Sequence, residues 1–175
     1  VSRAPSQRAI YVMCDVFAEK GGPPPKDNPG IPAGKPNPFK DLRVRKAVAH
    51  AIQVDDIIKY VMEGSAYPAT QIIGPYAFDY SKNLKRPKYD PELAKKLLAE
   101  AGYPKGFEAN FDTPNDRYVN DQQVAEAIAA QLAKIGIKLK VIATPKAVFF
   151  PKVDRFESPF LLAGWGTFSW QGTMN

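Results

Sequence analysis

The segment 89–143 constrains the fold most, because helix and strand signals alternate along it without a gap. Asp90 followed by Pro91 predicts a helix start, since aspartate caps the first free amides and proline fits the first helical position. Apolar residues at helical spacing then run as far as Gly102, which suits the left-handed residue that ends many helices. This stretch therefore predicts one short, well-bounded helix.

Strand signals lie on both sides of the next predicted helix. From Phe107 apolar and polar residues alternate, which is the period of a half-buried strand, and the polar face would carry Glu108, Asn110 and Asp112. A helix over 121–135 and a strand over 137–143 follow, after a turn at 114–118. A strand–helix–strand unit of this kind predicts two parallel strands, and so an α/β fold.

Further elements extend this unit at both ends. They are a strand at 9–17, a helix capped by Asp41, a short helix starting at Asp55, a short helix at 147–153 that Pro151 limits, and a strand at 159–165. The last strand is continuously apolar and suits burial on both faces. We predict a mixed, mostly parallel sheet covered by helices, with a single α/β lobe over 41–175.

The segment 18–40 interrupts these elements. It holds seven prolines and four glycines in 23 residues. Proline has no amide hydrogen and a fixed φ, so the segment cannot form a regular helix or a central strand. We predict a long surface arm or crossover between a first strand region, 1–17, and the lobe.

Composition excludes several classes of function. The chain has 175 residues and a net charge of +6, but its basic residues are scattered in runs of at most two. No nucleic-acid motif accompanies them, so we predict a solvated surface and no nucleic-acid partner. No apolar run is long enough to span a membrane, and no signal-peptide pattern opens the chain.

The residues that carry chemistry form no catalytic pattern. Cys14 and His50 are the only members of their types, which provides neither a disulfide nor a metal cluster, and no cofactor motif occurs. Asp116 and Asp121 are interpreted as helix-start residues rather than a catalytic pair. Two alternatives stay open beside a binding function. One is an α/β enzyme domain with its site in the turn 113–121, and the other is a basic adaptor domain for an acidic partner.

Five segments, taken in order, carry a resemblance to a known family. They are Asn-Pro-Phe-Lys-Asp-Leu-Arg-Val-Arg-Lys-Ala at 37–47, Tyr-Asp-Pro-Glu-Leu-Ala-Lys-Lys-Leu-Leu-Ala-Glu-Ala-Gly-Tyr-Pro-Lys-Gly-Phe at 89–107, Asn-Asp-Arg-Tyr-Val-Asn-Asp at 115–121, Lys-Ile-Gly-Ile-Lys at 134–138 and Leu-Ala-Gly-Trp-Gly at 162–166. Together they resemble the family 5 extracellular solute-binding proteins. These are the peptide, nickel and opine receptors of ABC importers.

The resemblance implies both an architecture and a mechanism. Members have two lobes joined by a hinge, and this chain is similar to most of the C-terminal lobe, with the strand at 9–17 close to the hinge. The lobes would close around a peptide-like solute and deliver it to the ABC permease in the membrane. The resemblance implies a periplasmic or extracellular monomer, membrane-associated only through the permease, with no enzymatic activity.

The resemblance also points to ligand-binding residues around two loops. Arg117 matches a position that anchors a ligand carboxylate in dipeptide-binding relatives, with Tyr118 beside it. By its chemistry alone Arg117 is equally compatible with a structural salt bridge or a solvated position. Trp165 is expected either to line the ligand or to pack in the core. Gly164 and Gly166 would admit a ligand close to the backbone, or simply bend a loop.

The segment after Trp165 departs from the family pattern. Dipeptide receptors carry an acidic residue three positions beyond this tryptophan, where the present chain has Phe168. The resemblance therefore does not extend to an anchor for a ligand ammonium group, which disfavours a plain dipeptide. Phe168, Trp170 and Gln171 predict a stacking and hydrogen-bonding wall for a longer peptide, a sugar or another solute.

Overall fold

A computed structural model describes residues 8–14, 30–75 and 80–166. The predicted sites at Phe168, Trp170 and Gln171 lie outside these ranges, as do residues 15–29 of the predicted first strand and arm. The described elements are β1 (Ala9–Cys14), a 3-10 turn (Pro38–Lys40), α1 (Leu42–Ala51), α2 (Val54–Tyr60), α3 (Pro91–Glu100), β2 (Phe107–Pro114), α4 (Asp121–Ala133), β3 (Ile137–Thr144), α5 (Lys146–Asp154) and β4 (Phe160–Trp165). None of the helices described here is long and apolar enough to cross a bilayer.

The four strands form one sheet in the order β1-β4-β2-β3. Strand β2 runs parallel to β3 along its whole length and parallel to β4, while β1 is antiparallel to β4. The predicted mixed, mostly parallel sheet is therefore confirmed. Because β2, β3 and β4 point the same way, their carboxyl ends meet at one edge of the sheet, which we call the carboxyl edge.

Local side-chain chemistry sets the helix boundaries as the sequence predicts. The Asp41 carboxylate accepts the Arg43 N–H at 2.8 Å at the start of α1. Asp90 accepts the Leu93 N–H at 2.9 Å at the start of α3, with proline in the first turn. Gly102 follows α3 with a φ of +89°, a conformation that glycine adopts without a Cβ clash.

The two faces of β2 are covered by different helices. Phe111 lies in the main core together with residues of α1 and α4. Asp112, on the opposite face, is only 2% exposed, and its carboxylate accepts a hydrogen bond from Lys152 of α5 at 2.6 Å. The expectation of a solvated polar face is wrong at Asp112, because α5 covers this end of the strand.

Helix α5 also differs from its predicted limits. Pro151 lies inside the helix, which continues to Asp154, and the Pro151 carbonyl accepts the Arg155 N–H at 3.3 Å. Buried Phe149 and the Lys152–Asp112 ion pair hold the helix on the sheet from either side of the proline. These tertiary contacts outweigh the loss of one amide hydrogen bond.

The described end of the proline-rich segment contacts the core at some residues, while residues 32–36 are exposed. Phe39 is completely buried, stacks on Phe160 with ring centroids 4.8 Å apart, and meets the edge of Phe107 at 5.4 Å. Farther back, the Gly30 carbonyl accepts the Asn110 N–H at 2.7 Å, beside the amino-terminal half of β2. The described part of the segment is therefore anchored to the sheet at Gly30 and Phe39.

Phe39 gives a test of this packing. We expect Phe39→Ala to lower the free energy of unfolding by about 3–5 kcal/mol, because it removes a buried ring between two strands. Urea denaturation of the protein measures the change. Leu42→Ala is the matched control, because Leu42 is more than half exposed and should cost well under half as much. Equal losses for the two variants would contradict the buried role of Phe39.

Cys14 gives a second test. It packs against the core, and burial raises the pKa of its thiol to about 12, although nearby Arg45 acts to lower it. In the unfolded chain the thiol has a pKa of about 8.5. The contribution of the buried, protonated thiol to the free energy of unfolding is therefore fully present below about pH 8.5, and it is lost as the pH rises toward 12. We expect iodoacetamide at pH 8 to alkylate the native protein far more slowly than the urea-unfolded protein. Similar rates in both states would contradict the burial of Cys14.

Candidate functional site

The turn 115–120 follows β2 at the carboxyl edge and is fastened to the neighbouring strand and helix. The Asn115 N–H donates to the Thr144 carbonyl at 3.0 Å. The Asp116 carboxylate accepts the Lys146 backbone N–H at 2.7 Å and the Lys146 ammonium at 3.2 Å. These interactions, led by the backbone N–H, hold the pKa of Asp116 below its usual value. One side of the turn is thus tied to the start of α5.

Asp121 closes the other side of the turn. Its carboxylate is only 4% exposed, and Oδ2 accepts the backbone N–H groups of Arg117 and Tyr118, each at 3.0 Å. Oδ1 accepts the Gln122 N–H, also at 3.0 Å. The sequence identified Asp121 correctly as a helix-start residue. It did not reveal that the same carboxylate organises the preceding turn, because these amides approach only when the turn has formed.

Tyr118 connects the turn to the end of β4. Its hydroxyl donates to the Gly164 carbonyl at 3.0 Å. A Cβ at position 164 would lie 2.7 Å from Cε1 of Tyr118 and 2.8 Å from Cδ1 of Ile10, which is closer than side chains tolerate. A residue larger than glycine at 164 would therefore push against the Tyr118 ring and Ile10, which fill the space beside it.

The guanidinium of Arg117 has no ion-pair partner among the described residues. It is exposed and lies 5.8 Å from the centroid of the Tyr118 ring, a cation–π distance. Within 8–14, 30–75 and 80–166, no carboxylate lies at ion-pair distance from it, so the alternative of a structural salt bridge finds no partner there. Asp116 and Asp121 are close in sequence, but Lys146 and backbone amides occupy their carboxylates.

Trp165 completes the group of predicted residues at the carboxyl edge. It directly follows Gly164 at the end of β4 and is 45% exposed, so it is not a core residue in the described part of the chain. Gly166 is half-buried and is the last residue described. Four predicted site residues thus lie together at the carboxyl edge. Arg117 and Tyr118 are neighbours in the chain, as are Gly164 and Trp165, and the hydrogen bond between Tyr118 and Gly164 links the two pairs.

A groove of about 550 Å³ lies at the opposite end of β2. Residues 30–32, 108–110 and 138–140 line it. The Lys138 ammonium lies 3.7 Å from the Glu108 carboxylate, so these two lining residues of the groove partly neutralise each other. None of the site residues that the structure describes lines this groove. In the part of the chain that the structure describes, no group of histidine, cysteine or acidic residues is arranged to hold a metal ion.

Comparison with known proteins identifies the class of protein that has this fold. Residues 24–174 match the family described as bacterial extracellular solute-binding proteins, family 5 Middle. The match covers most of the chain, so the chain belongs to this family, as the sequence motifs indicate.

Individual relatives support the same assignment. The chain is 34% identical over 131 residues to the dipeptide-binding protein of Escherichia coli K12, covering 73% of this chain and 24% of that protein. It superposes on a dipeptide binding protein of Pseudoalteromonas in complex with Met-Leu with a TM-score of 0.74 and 28% identity, over 94% of this chain and 30% of that one. The periplasmic binding protein DppA of Helicobacter pylori, in complex with the peptide STSA, gives a TM-score of 0.70 and 28% identity over 91% and 27% of the two chains. The chain thus spans about a quarter of the length of the curated relative.

The contact between Tyr118 and Gly164 can be tested by stability. We expect Gly164→Ala to destabilise the protein by about 1–3 kcal/mol through overpacking. Tyr118→Phe keeps the ring and removes only the hydroxyl, so its cost should be about 0.5–1.5 kcal/mol. Urea denaturation measures both. The cost of Gly164→Ala should shrink when Tyr118 is also replaced by alanine, and an unchanged cost would show that the tyrosine ring is not the obstacle.

Proposed function

We propose that this chain is part of the ligand-binding lobe of an ABC-importer receptor, which captures a peptide-like solute and delivers it to a membrane permease. The single observation that carries the proposal is the guanidinium of Arg117, which has no ion-pair partner among the described residues and lies next to Tyr118 and near the end of β4, in a chain of a solute-binding family. The relatives named above are binding proteins, and two of the solved structures contain peptides.

The chemistry of the carboxyl edge favours an anionic ligand group at Arg117. Ligands of open α/β sheets bind outside the carboxyl ends of the strands, where this turn lies. A guanidinium presents parallel N–H donors that match a carboxylate. The exposed indole of Trp165 offers a flat surface for the adjoining part of a peptide. The free carboxyl end of a peptide fits both groups.

The remaining predicted site residues extend this proposal. Phe168 replaces the acidic residue that a ligand amine would need, so the amino end of the ligand is held elsewhere, which favours a peptide longer than two residues. Trp170 and Gln171 supply stacking and hydrogen bonding along it. Gly164 and Gly166 shape the backbone beneath the ligand.

Transport by this mechanism requires a second lobe. In the proposal, 1–17 lies near a hinge, 18–40 leads from it into the lobe, and 41–175 contributes one wall of the cleft. Ligand binding favours the closed form, because a ligand that touches both lobes has more contacts there. The closed monomer then docks on the permease in the periplasm or outside the cell. Neither an enzymatic step nor an adaptor role is needed, and none of the relatives described above supports them.

Ligand-induced stabilisation tests the proposed function. In the full-length protein freed of ligand, we expect a mixed pool of tetrapeptides to raise the melting temperature by several degrees. Binding at 1,000 times the dissociation constant adds about 4 kcal/mol to stability, which a thermal melt detects easily. Arg117→Ala should remove most of this shift, because it removes the carboxylate anchor.

Arg155→Ala is the matched control for that experiment. Arg155 is also an exposed arginine, but it pairs with Glu157 just after α5 rather than standing free at the carboxyl edge. It should leave the peptide-induced shift unchanged. If peptides produce no shift, or if the two arginine variants lose it equally, the proposed function is wrong.

A further inference from the structure

We propose that Asp121 is a positioning residue for the ligand, acting through Arg117 without touching the ligand itself. This inference rests on the proposed function and adds a residue to it. Asp121 lies four residues after Arg117 and binds the turn only through main-chain amides. Its effect on binding therefore passes through the backbone that carries the arginine.

The geometry explains why this carboxylate controls the arginine. Oδ2 accepts two consecutive N–H groups, those of residues 117 and 118, and so restrains the peptide planes on either side of the Arg117 Cα. The direction in which the arginine side chain leaves the backbone is thereby set before a ligand arrives. Pre-organisation of this kind improves affinity, because less freedom is lost on binding.

Burial makes Asp121 the stronger of the two carboxylate anchors of the turn. Asp116 and Lys146 are both about half exposed, so water competes with their interaction. The Asp121 carboxylate is almost fully buried, and an unmet hydrogen bond there is costly. Loss of Asp121 should therefore loosen the turn more than loss of the Asp116–Lys146 pair.

The same bonds keep Arg117 available for a ligand. A carboxylate this close in sequence would otherwise be a natural partner for the guanidinium. Since both Asp121 oxygens already accept backbone N–H groups, the carboxylate is turned toward the main chain. Asp121 thus orients the arginine without neutralising it.

The test compares free-acid peptides with their amides in the full-length protein. The probes are a mixed tetrapeptide pool with free carboxyl ends and the same pool with C-terminal amides, measured by competition in a binding assay. The wild type should prefer the free acids by about 10- to 100-fold, as expected for a hydrogen-bonded ionic contact. Arg117→Ala should abolish this preference.

Asp121→Asn is the decisive variant, because it is isosteric but places an NH₂ group against at least one amide donor. We expect it to reduce the acid-over-amide preference by roughly threefold to tenfold, the equivalent of about one neutral hydrogen bond. In the Arg117→Ala background, Asp121→Asn should cause no further loss of affinity for the free-acid pool. Such non-additivity is the signature of a residue acting through another.

Asp90→Ala is the matched control for instability. Asp90 is also an aspartate at the start of a helix and bonds a backbone N–H, but it lies at α3, outside the described site. It should lower the melting temperature and leave the acid-over-amide preference intact. Asp121→Glu retains two acceptor oxygens. It should therefore keep part of the acid-over-amide preference that Asp121→Asn loses, which guards against the case in which the asparagine variant has damaged the fold.

The outcomes separate the two proposals. If the wild type shows no acid preference, both the anchor at Arg117 and the positioning role of Asp121 are wrong. If the wild type shows this preference and Asp121→Asn keeps it, only the positioning role is overturned. The same holds if Asp121→Asn lowers the affinity for the free-acid pool equally with and without Arg117. A loss of preference in Asp90→Ala equal to that in Asp121→Asn would also overturn the positioning role, because general instability would then explain the effect.

Discussion

The packing of three phenylalanine rings joins parts of this chain that lie far apart in sequence. Phe160 of β4 stacks on Phe39 from the proline-rich segment and contacts Phe111 of β2 with ring centroids 4.7 Å apart. This cluster seats β4 next to β2, although the whole of α4, β3 and α5 separates them along the chain. Burial of such rings contributes several kcal/mol each to stability. The same packing brings the end of β4 to the turn that follows β2, where the Tyr118 hydroxyl donates to the Gly164 carbonyl.

The aspartate residues near the carboxyl edge have different interaction partners, although they are the same residue type. Three aspartates lie within ten residues of one another, and the carboxylate of each accepts hydrogen bonds within the chain. Asp112 accepts from Lys152, Asp116 from Lys146, and Asp121 from backbone amides. Arg117 lies among them and pairs with none. A buried or half-buried carboxylate is costly without partners, so these contacts hold the three acids within the structure, although Oδ2 of Asp112 has no hydrogen-bond partner among the described residues.

The family assignment and the partial coverage explain the shape of the site. The chain corresponds to about a quarter of the dipeptide-binding relative, and its candidate residues lie along one open edge rather than in an enclosed pocket. A cleft between two lobes has this property, because each lobe presents only one wall of the cleft. In the proposed function, the exposed indole of Trp165 forms part of such a wall.

Local chemistry made much of this structure predictable from sequence. The caps at Asp41 and Asp90 and the left-handed glycine at 102 depend on residues within one turn, so their signals are complete in a short window. The parallel pairing of β2 with β3 follows from the strand–helix–strand order and is confirmed. The motif order also identified the family correctly. Long-range packing was not predictable in the same way, as burial of Phe39 in a proline-rich segment and of Asp112 on a polar strand face demonstrates.

The amino-acid sequence by itself therefore determined the helices, the strands, the mixed sheet and the solute-binding family. Only the tertiary structure decided that Tyr118 requires the glycine at 164, that α5 continues through Pro151, and that Asp121 holds the turn of Arg117. The physical reason is the range of the interactions. Capping and strand alternation act between near neighbours, whereas a buried carboxylate or a ring against a glycine acquires its partners only when distant segments have packed together.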